Sequence, residues 1–516
     1  MFGKSPEQKE LDRLASGMRS SRVEESLAAV AGIVDRGSAD PVFLGLVTAE
    51  MPGWLKALNA RTHFRAAFAL AGLIDRSIGA GESSTGLLVG LLRHPDTPLG
   101  FYAAARLGLV AGRHPHLLPG WLDKIRAQAA LPDLAASYPA WLALGEIGYR
   151  DPALIQESVP FMTGMLAQAE AALQTFTRVT QRTPLVALGA VGELLGVVRR
   201  AQDLFVGLEV PVILMRVARA LPGSLQDRIL PAVRPLFEDP NRVARAAAAY
   251  QVGLAGMVDP GAAGEFLPSL AAAAGDSEAG VRLQAALALG MVGGRRRDLA
   301  PTLAVHLAAL LDDGDGGVRG GAAVALRYLA VRSPDSVASL LPAISRMLDD
   351  NDPAVRGSAS LGLQLLSLAG TVLPGDLGER ARAAATGADA RRGAAVVLHM
   401  VSRCPDPEFD AELLPLLEGL LQDGDGRVRA RGALALKNVV GMFPDRTLAA
   451  VPAMAALLGD RDGSVRMQAA FALAEVADHR PDTVRGEALP RLLELLEDGA
   501  DQRVRGAVAF ALGKLM

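Results

Sequence analysis

Cysteine occurs once in 516 residues, at Cys404, which excludes an intrachain disulfide framework and a multi-cysteine metal cluster; a lone buried thiol is the expectation. Aromatic residues make up 4% of the chain, and the β-branched and aromatic runs that a sheet requires are scarce. Long apolar runs are absent too. The most apolar stretch, residues 185–198, carries Glu193 and is too short to span a bilayer, so no transmembrane segment is expected. Charge of one sign is also missing: a net charge near −3 gives no general attraction to phosphate backbones or anionic membranes. The opening residues MFGKSPEQKELDR lack the apolar core of a secretory signal, and a cytoplasmic location is the expectation.

What remains is a chain that is 50% apolar and dominated by helix formers, and it repeats. From about residue 230 onward a block recurs: a helical run containing proline, an acidic turn, then Val-Arg opening a second helix. The arginines are Arg245, Arg282, Arg319, Arg356, Arg391, Arg429, Arg466 and Arg505, in steps of 35 to 39 residues. Fourteen positions earlier stand Pro231, Pro268, Pro342, Pro415 and Pro452, where a proline kinks a helix. Six positions before the arginine stand Asp239, Asp276, Asp313, Asp350, Asp423 and Asp460, placed to end one helix and cap the next. Three and six positions after it come small residues, such as Ala285 and Ala288 or Ala322 and Ala325, which share a helix face and permit close helix approach. The pattern departs at Ala390-Arg391, which has lost the register of its proline and acidic turn, and Pro490 is displaced by one position.

These residues resemble the HEAT repeat family: paired antiparallel helices, proline in the first, aspartate in the turn and Val-Arg at the start of the second. The resemblance implies an all-α fold, a right-handed superhelical α-solenoid of stacked helix pairs. It also implies a ladder in which the aspartates and arginines of adjacent repeats share hydrogen bonds. The match is strong over 225–516, about eight repeats. Residues 1–150 keep the period more faintly, through Arg65, Asp96 with Leu99-Gly100, and Ser137 with Ala140, behind a polar N-terminal cap. Residues 151–224 fit least well, reading as a long helical run over 156–182, a break at Pro184, and a second run with a basic end at Arg199 and Arg200. One continuous solenoid with a degenerate N-terminal third is the expected organisation.

The sequence holds no phosphate loop, nucleophile elbow, zinc-binding helix or paired-cysteine motif, so no catalytic residue, metal or cofactor is assigned. His114 and His116 lack further ligands nearby and read as a surface loop. The segments DDGDGG, QDGDGR and DRDGS place carboxylates as calcium loops do, but a Val-Arg helix arrives where a bidentate glutamate is needed, so they read as capping turns.

Candidate partner contacts are the basic end Arg199 and Arg200, the run Arg295, Arg296 and Arg297, and the tryptophans Trp121 and Trp141. Tryptophan anchors interfaces, with packing inside the core as the other reading. The last helix, VAFALGKLM, ends on an apolar face that a partner or a second copy is expected to cover.

The expected function is a scaffold that binds a protein partner on a concave surface lined by the second helices. Because HEAT-like families include bilin lyases and DNA glycosylases, an enzyme is the alternative, and sequence-independent nucleic-acid binding is another. The balanced charge argues against nucleic acid.

Overall fold

The computed structural model describes residues 4–56, 60–76, 81–94, 96–166, 170–330, 333–402, 413–441, 443–497 and 501–516. Cys404 lies outside them. The described residues form helices and turns and no strand. No helix among them is long and apolar enough to cross a membrane. The chain packs as two compact units, one made of residues 1–161 together with 448–516, the other of 162–447.

In the second unit the helices Leu204–Ala220, Arg242–Val258, Ala279–Gly293, Gly316–Ala330, Pro353–Leu368, Ala388–Ser402 and Gly426–Val440 stack side by side in chain order. Each is the second helix of its repeat. Small side chains set their spacing: Ala285, Ala288, Ala322 and Ala325 are all inaccessible to solvent. A Cβ added at Gly290 would stand 2.5 Å from the carbonyl oxygen of Ala325, so a larger residue there must push the two helices apart.

Two of the first helices are broken rather than kinked. Pro268 and Pro342 each sit in the first turn of a new short helix, Leu267–Ala273 and Leu341–Met347, which follow the single turns Pro260–Gly264 and Pro334–Ala338. A proline in the first turn lacks an N–H where no helical acceptor exists, so starting a helix there costs less than bending one.

The long run expected over 156–182 is likewise divided, into the 3-10 turn Gln156–Ser158 and the helices Val159–Met165 and Glu170–Val179. Pro160 starts one of these pieces. In the last of them the hydroxyls of Thr175 and Thr177 donate to the carbonyls of Ala171 and Leu173, and Thr180, just past its end, donates to Phe176. Such back-bonding weakens a helix, and this one stops by residue 180.

In the first unit, Pro6–Met18 buries Leu11, Leu14 and Met18 and turns its charges outward, where Lys4 pairs with Asp12 at 2.6 Å. The helices Val23–Ala39, Ala60–Arg76, Thr97–Arg113 and Leu134–Arg150 follow as a stack of second helices. The C-terminal helices Gly463–Ala477 and Gln502–Leu515 join that stack, Gln502–Leu515 packing on Thr97–Arg113 and Gly463–Ala477 on Gln502–Leu515. The apolar face of the last helix is therefore covered by this chain's own residues, not left for a partner or a second copy. A Cβ at Gly513 would stand 2.7 Å from that of Ala105, and Gly506 lies against the ring of Phe101.

The seam where the repeat pattern lapses has its own device. A Cβ at Gly357 would fall 1.8 Å from the carbonyl oxygen of Ala390, and one at Gly393 would fall 2.7 Å from the Cα of Ala354, so two glycines bring these backbones together. We expect Gly357→Ala to cost about 1–3 kcal/mol through overpacking. Denaturant titration checks this, with Gly419→Ala, where nothing lies within 4 Å of the added Cβ, as the control.

Candidate functional site

The repeat turns carry the most regular polar geometry in the molecule. Arg245 grips Asp276 with two bonds of 2.7 and 3.0 Å and donates to the carbonyl of Asp239 at 2.8 Å, so one guanidinium ties its own turn to the next repeat. Arg282 does the same with Asp313, at 2.7 and 2.8 Å, and with the carbonyl of Asp276. Arg319 reaches Asp350 at 2.7 Å, and Arg391 reaches Asp423. Arg356, Arg429 and Arg466 each donate to the carbonyl of their own turn's aspartate, Asp350, Asp423 and Asp460. Across the next seam from Arg356 the register places Gly387 where an aspartate would stand, and there the close glycine contact takes over.

These aspartates are not the helix caps. Each accepts the backbone N–H two residues on, as Asp313 does from Asp315 and Asp350 from Asp352, at 2.8 Å. The cap is that second residue: Asn241, Asp352, Asp425 and Asp462 each accept from the first turn of the following helix. The two jobs belong to two side chains because a carboxylate holding its neighbour's guanidinium must point across the seam, away from its own helix.

Burial pushes the carboxyls of Asp276 and Asp313 up, but the bonds from Arg245 and Arg282 and from the turn amides outweigh it and hold both below the ordinary carboxylate value. The same bonds raise Arg245 and Arg282. The guanidiniums of the ladder are thus occupied by carboxylates and carbonyls rather than presented to solvent as a basic stripe.

The candidate contact residues do not converge. Arg199 is exposed and leans towards Asp239 at 3.4 Å, and Arg200 is exposed beside it. Arg296 is clamped by Asp298 through bonds of 2.9 and 2.7 Å, Arg295 is half-buried, and Arg297 is exposed. Trp121 is half-buried, with its ring over Gly86 and Lys124 4.1 Å above it. Trp141 is 1% exposed and stacked on Phe161 at 5.4 Å, so it is a core residue and not an interface anchor. His114 and His116 face each other at 6.2 Å, and no cluster of three ligating side chains exists among the described residues.

The second helices do not line an open surface over most of the second unit, being buried on nearly every side from Arg242–Val258 to Pro353–Leu368. Five positions beyond each ladder arginine, Tyr250, Leu287, Val324 and Leu361 are at most 4% exposed, whereas Val396 in the same register is 36% exposed. Near it is Phe205, 41% exposed, whose ring lies 6.5 Å from that of His399, one turn along from Val396. On the neighbouring helix, Leu434 occupies the register of Val396, and Arg431 lies one turn before it. Arg431 is half-buried, and its burial, with no anion beside it among the described residues, pulls its pKa down. Phe205 and Val396 are thus exposed apolar groups near His399, and Arg431 lies on the helix packed beside that of Val396.

Sequence reasoning missed a second polar constellation, in the first unit. Asp96 accepts from Arg505 at 3.0 Å and pairs with His63 at 2.9 Å. Lys514, 1% exposed at its side chain, contacts Asp478 at 2.6 Å and Glu146 at 3.1 Å, while Arg150 also bonds Asp478. The signal that could have found it is a lone lysine in the apolar run VAFALGKLM and a lone glutamate in LALGEIGY, each needing a buried partner.

Comparison with known proteins now bears on this geometry. A family profile of HEAT repeats matches residues 230–327 and 413–513. The chain carries HEAT repeats. Among solved structures, a HEAT-type likeness extends over nearly the whole chain. The Kap95:Nup1 complex aligns with 98% of it at a TM-score of 0.52 and 14% identity, covering 71% of that chain. The karyopherin Kap121p bound to Nup53p aligns with 100% at 0.53 and 12% identity, covering 67% of that chain. Kap121p bound to the extreme C-terminus of the protein phosphatase Cdc14p aligns with 100% at 0.54 and 13%, covering 72%. At such identities the likeness establishes the fold alone. No curated protein sequence matches the chain.

Two outcomes follow for the HEAT ladder. Arg282→Leu, which removes the bonds to Asp313 and to the Asp276 turn, is expected to lower stability by about 1.5–3 kcal/mol in denaturant titration. Acid is expected to act on the same bonds. Because the folded carboxyls of Asp276, Asp313 and Asp96 lie below their ordinary value, the unfolded chain takes up protons first as pH falls. Their contribution is complete above the ordinary carboxylate value of 3.8 and is lost as pH drops below it towards the folded values, which circular dichroism against pH will show as acid unfolding.

Proposed function

We propose that this chain is a protein-binding scaffold, a HEAT-repeat platform that holds a partner and carries out no chemistry of its own. The observation that carries this reading is the exposure of Phe205 and Val396 near His399, with the half-buried Arg431 on the neighbouring helix, in a stack whose equivalent positions from Tyr250 to Leu361 are closed. Apolar groups exposed together on a rigid support gain most by being covered, and a desolvated guanidinium without an anion favours a partner that supplies one. The partner suited to this face is a polypeptide segment with apolar residues flanked by aspartate or glutamate. Solved karyopherin structures of similar fold contain bound proteins, such as Nup53p on Kap121p, which supports the reading at the level of fold. A cytoplasmic location remains part of the proposal.

The ladder argues against nucleic acid as the ligand, because Arg245, Arg282, Arg319 and Arg391 are engaged by aspartates and do not form a free basic groove.

The test is affinity purification of the tagged chain from its native cell at moderate salt, compared with Val396→Asp and Phe205→Ala variants. The reading expects a stoichiometric protein that the wild-type chain retains and both variants lose, while their helix content is unchanged. Recovery of nucleic acid or a small chromophore with no protein, or a partner retained equally by both variants, contradicts it.

A further inference from the structure

The contact between Thr97–Arg113 and Gln502–Leu515 has the construction of a repeat seam without the chain connection of one. Within the second unit a ladder arginine and its aspartate are 31 or 32 residues apart; Arg505 and Asp96 are 409 apart. Arg505 nevertheless treats Asp96 as the aspartate of the following repeat, and Gly513 meets Ala105 and Tyr102 as Gly290 meets Ala325. Consecutive repeats are held at high effective concentration by a short link. At this seam the side chains alone must do it.

We infer that this seam is a releasable clasp, through which residues 448–516 dock on and part from the 97–150 face while the intervening chain keeps them tethered. The charges are divided in a way that suits parting. Three pairs cross the seam: Arg505 with Asp96, Lys514 with Glu146, and Arg150 with Asp478. Each side also keeps a balanced set of its own. Lys514 and Asp478 are bonded to each other on the C-terminal side, and Glu146 and Arg150 are one turn apart on a single helix on the other. Asp96 keeps His63 when Arg505 leaves, and Arg505 keeps the carbonyl of Leu496 at 3.2 Å.

Closed, every charge has a partner; fully parted, Lys514 keeps Asp478 and Asp96 keeps His63, Glu146 and Arg150 stand one turn apart on one helix, where they can pair, and all regain water. A half-open seam leaves the side chains of Lys514 and Asp478, both at most 1% exposed, dry with part of their bonds broken, and that state is the unfavourable one. The seam therefore has two stable arrangements and a disfavoured path between them, the requirement for a switching element.

The experiment places nitroxide labels at exposed Leu134 and Gln502 in the full chain, with Cys404→Ser to remove the native thiol, and reads the distance distribution by pulsed electron resonance. The unmodified seam is expected to give one short distance. Lys514→Met, which leaves Asp478 and Glu146 without their shared cation, and separately Gly513→Leu, which wedges the helices apart, are each expected to add a longer-distance population while far-UV circular dichroism keeps the parental helix content. An unchanged single distance in both variants overturns the clasp. So does a loss of helix content that accompanies the longer distance, because the seam would then be an inseparable part of the core.

Discussion

A stack of helix pairs depends on the distance between neighbouring second helices. Side chains buried on both flanks of such a helix have no slack, so one oversized residue displaces every contact along the seam. In this chain the distance is set by alanine and glycine at fixed intervals after the ladder arginine, and the arginine sets the axial register by gripping a carboxylate of the next repeat. The two devices compensate for one another. Where residue 387 supplies no aspartate to Arg356, Gly357 and Gly393 bring the two backbones together at a distance that leaves no room for a Cβ. Dispersion between nearly touching helices there takes the place of the charged bond.

The same constraint decides where function can sit. Helices packed this closely on both flanks and closed over their inner positions offer little surface of their own, and an expected open face along all the second helices gives way to a short exposed stretch at Phe205 and Val396. Regularity supplies rigidity, and the departures from it supply accessible chemistry. Residues 151–224, read from the sequence as the irregular part, contribute Phe205's neighbourhood through the helix that begins at Leu204. Val396 comes from the repeat whose proline and acidic turn have lost their register.

Much of this was legible in the sequence because the repeat writes the same residues at the same intervals. The period, the helix pairing and the identity of the ladder positions all follow from recurrence. Local chemistry was harder to read. The turn aspartate and the capping residue two places later are both polar, and only geometry separates the one that faces the next repeat from the one that faces its own helix. Proline was read as a kink where Pro268 and Pro342 start a new helix, and Trp141 was left between contact and core, where its stacking on Phe161 decides for the core. The environment of the last helix was beyond reach, since the partners of Arg505 and Lys514 lie hundreds of residues away and spacing carries no trace of such a contact. Isolated charges in apolar runs were the available sign.

The central claim is that neighbouring second helices, held by small residues and crossing charges, form a protected core in each unit, and that the last helix belongs to it while its seam is closed. Hydrogen exchange followed by mass spectrometry tests this directly, with peptides covering Thr97–Arg113, Gly463–Ala477 and Gln502–Leu515 compared with those of the first helices. The account predicts that the amides of Gln502–Leu515 exchange as slowly as those of Gly463–Ala477 and far more slowly than those of Pro334–Ala338. Exchange of Gln502–Leu515 at the rate of an unprotected chain end would contradict it.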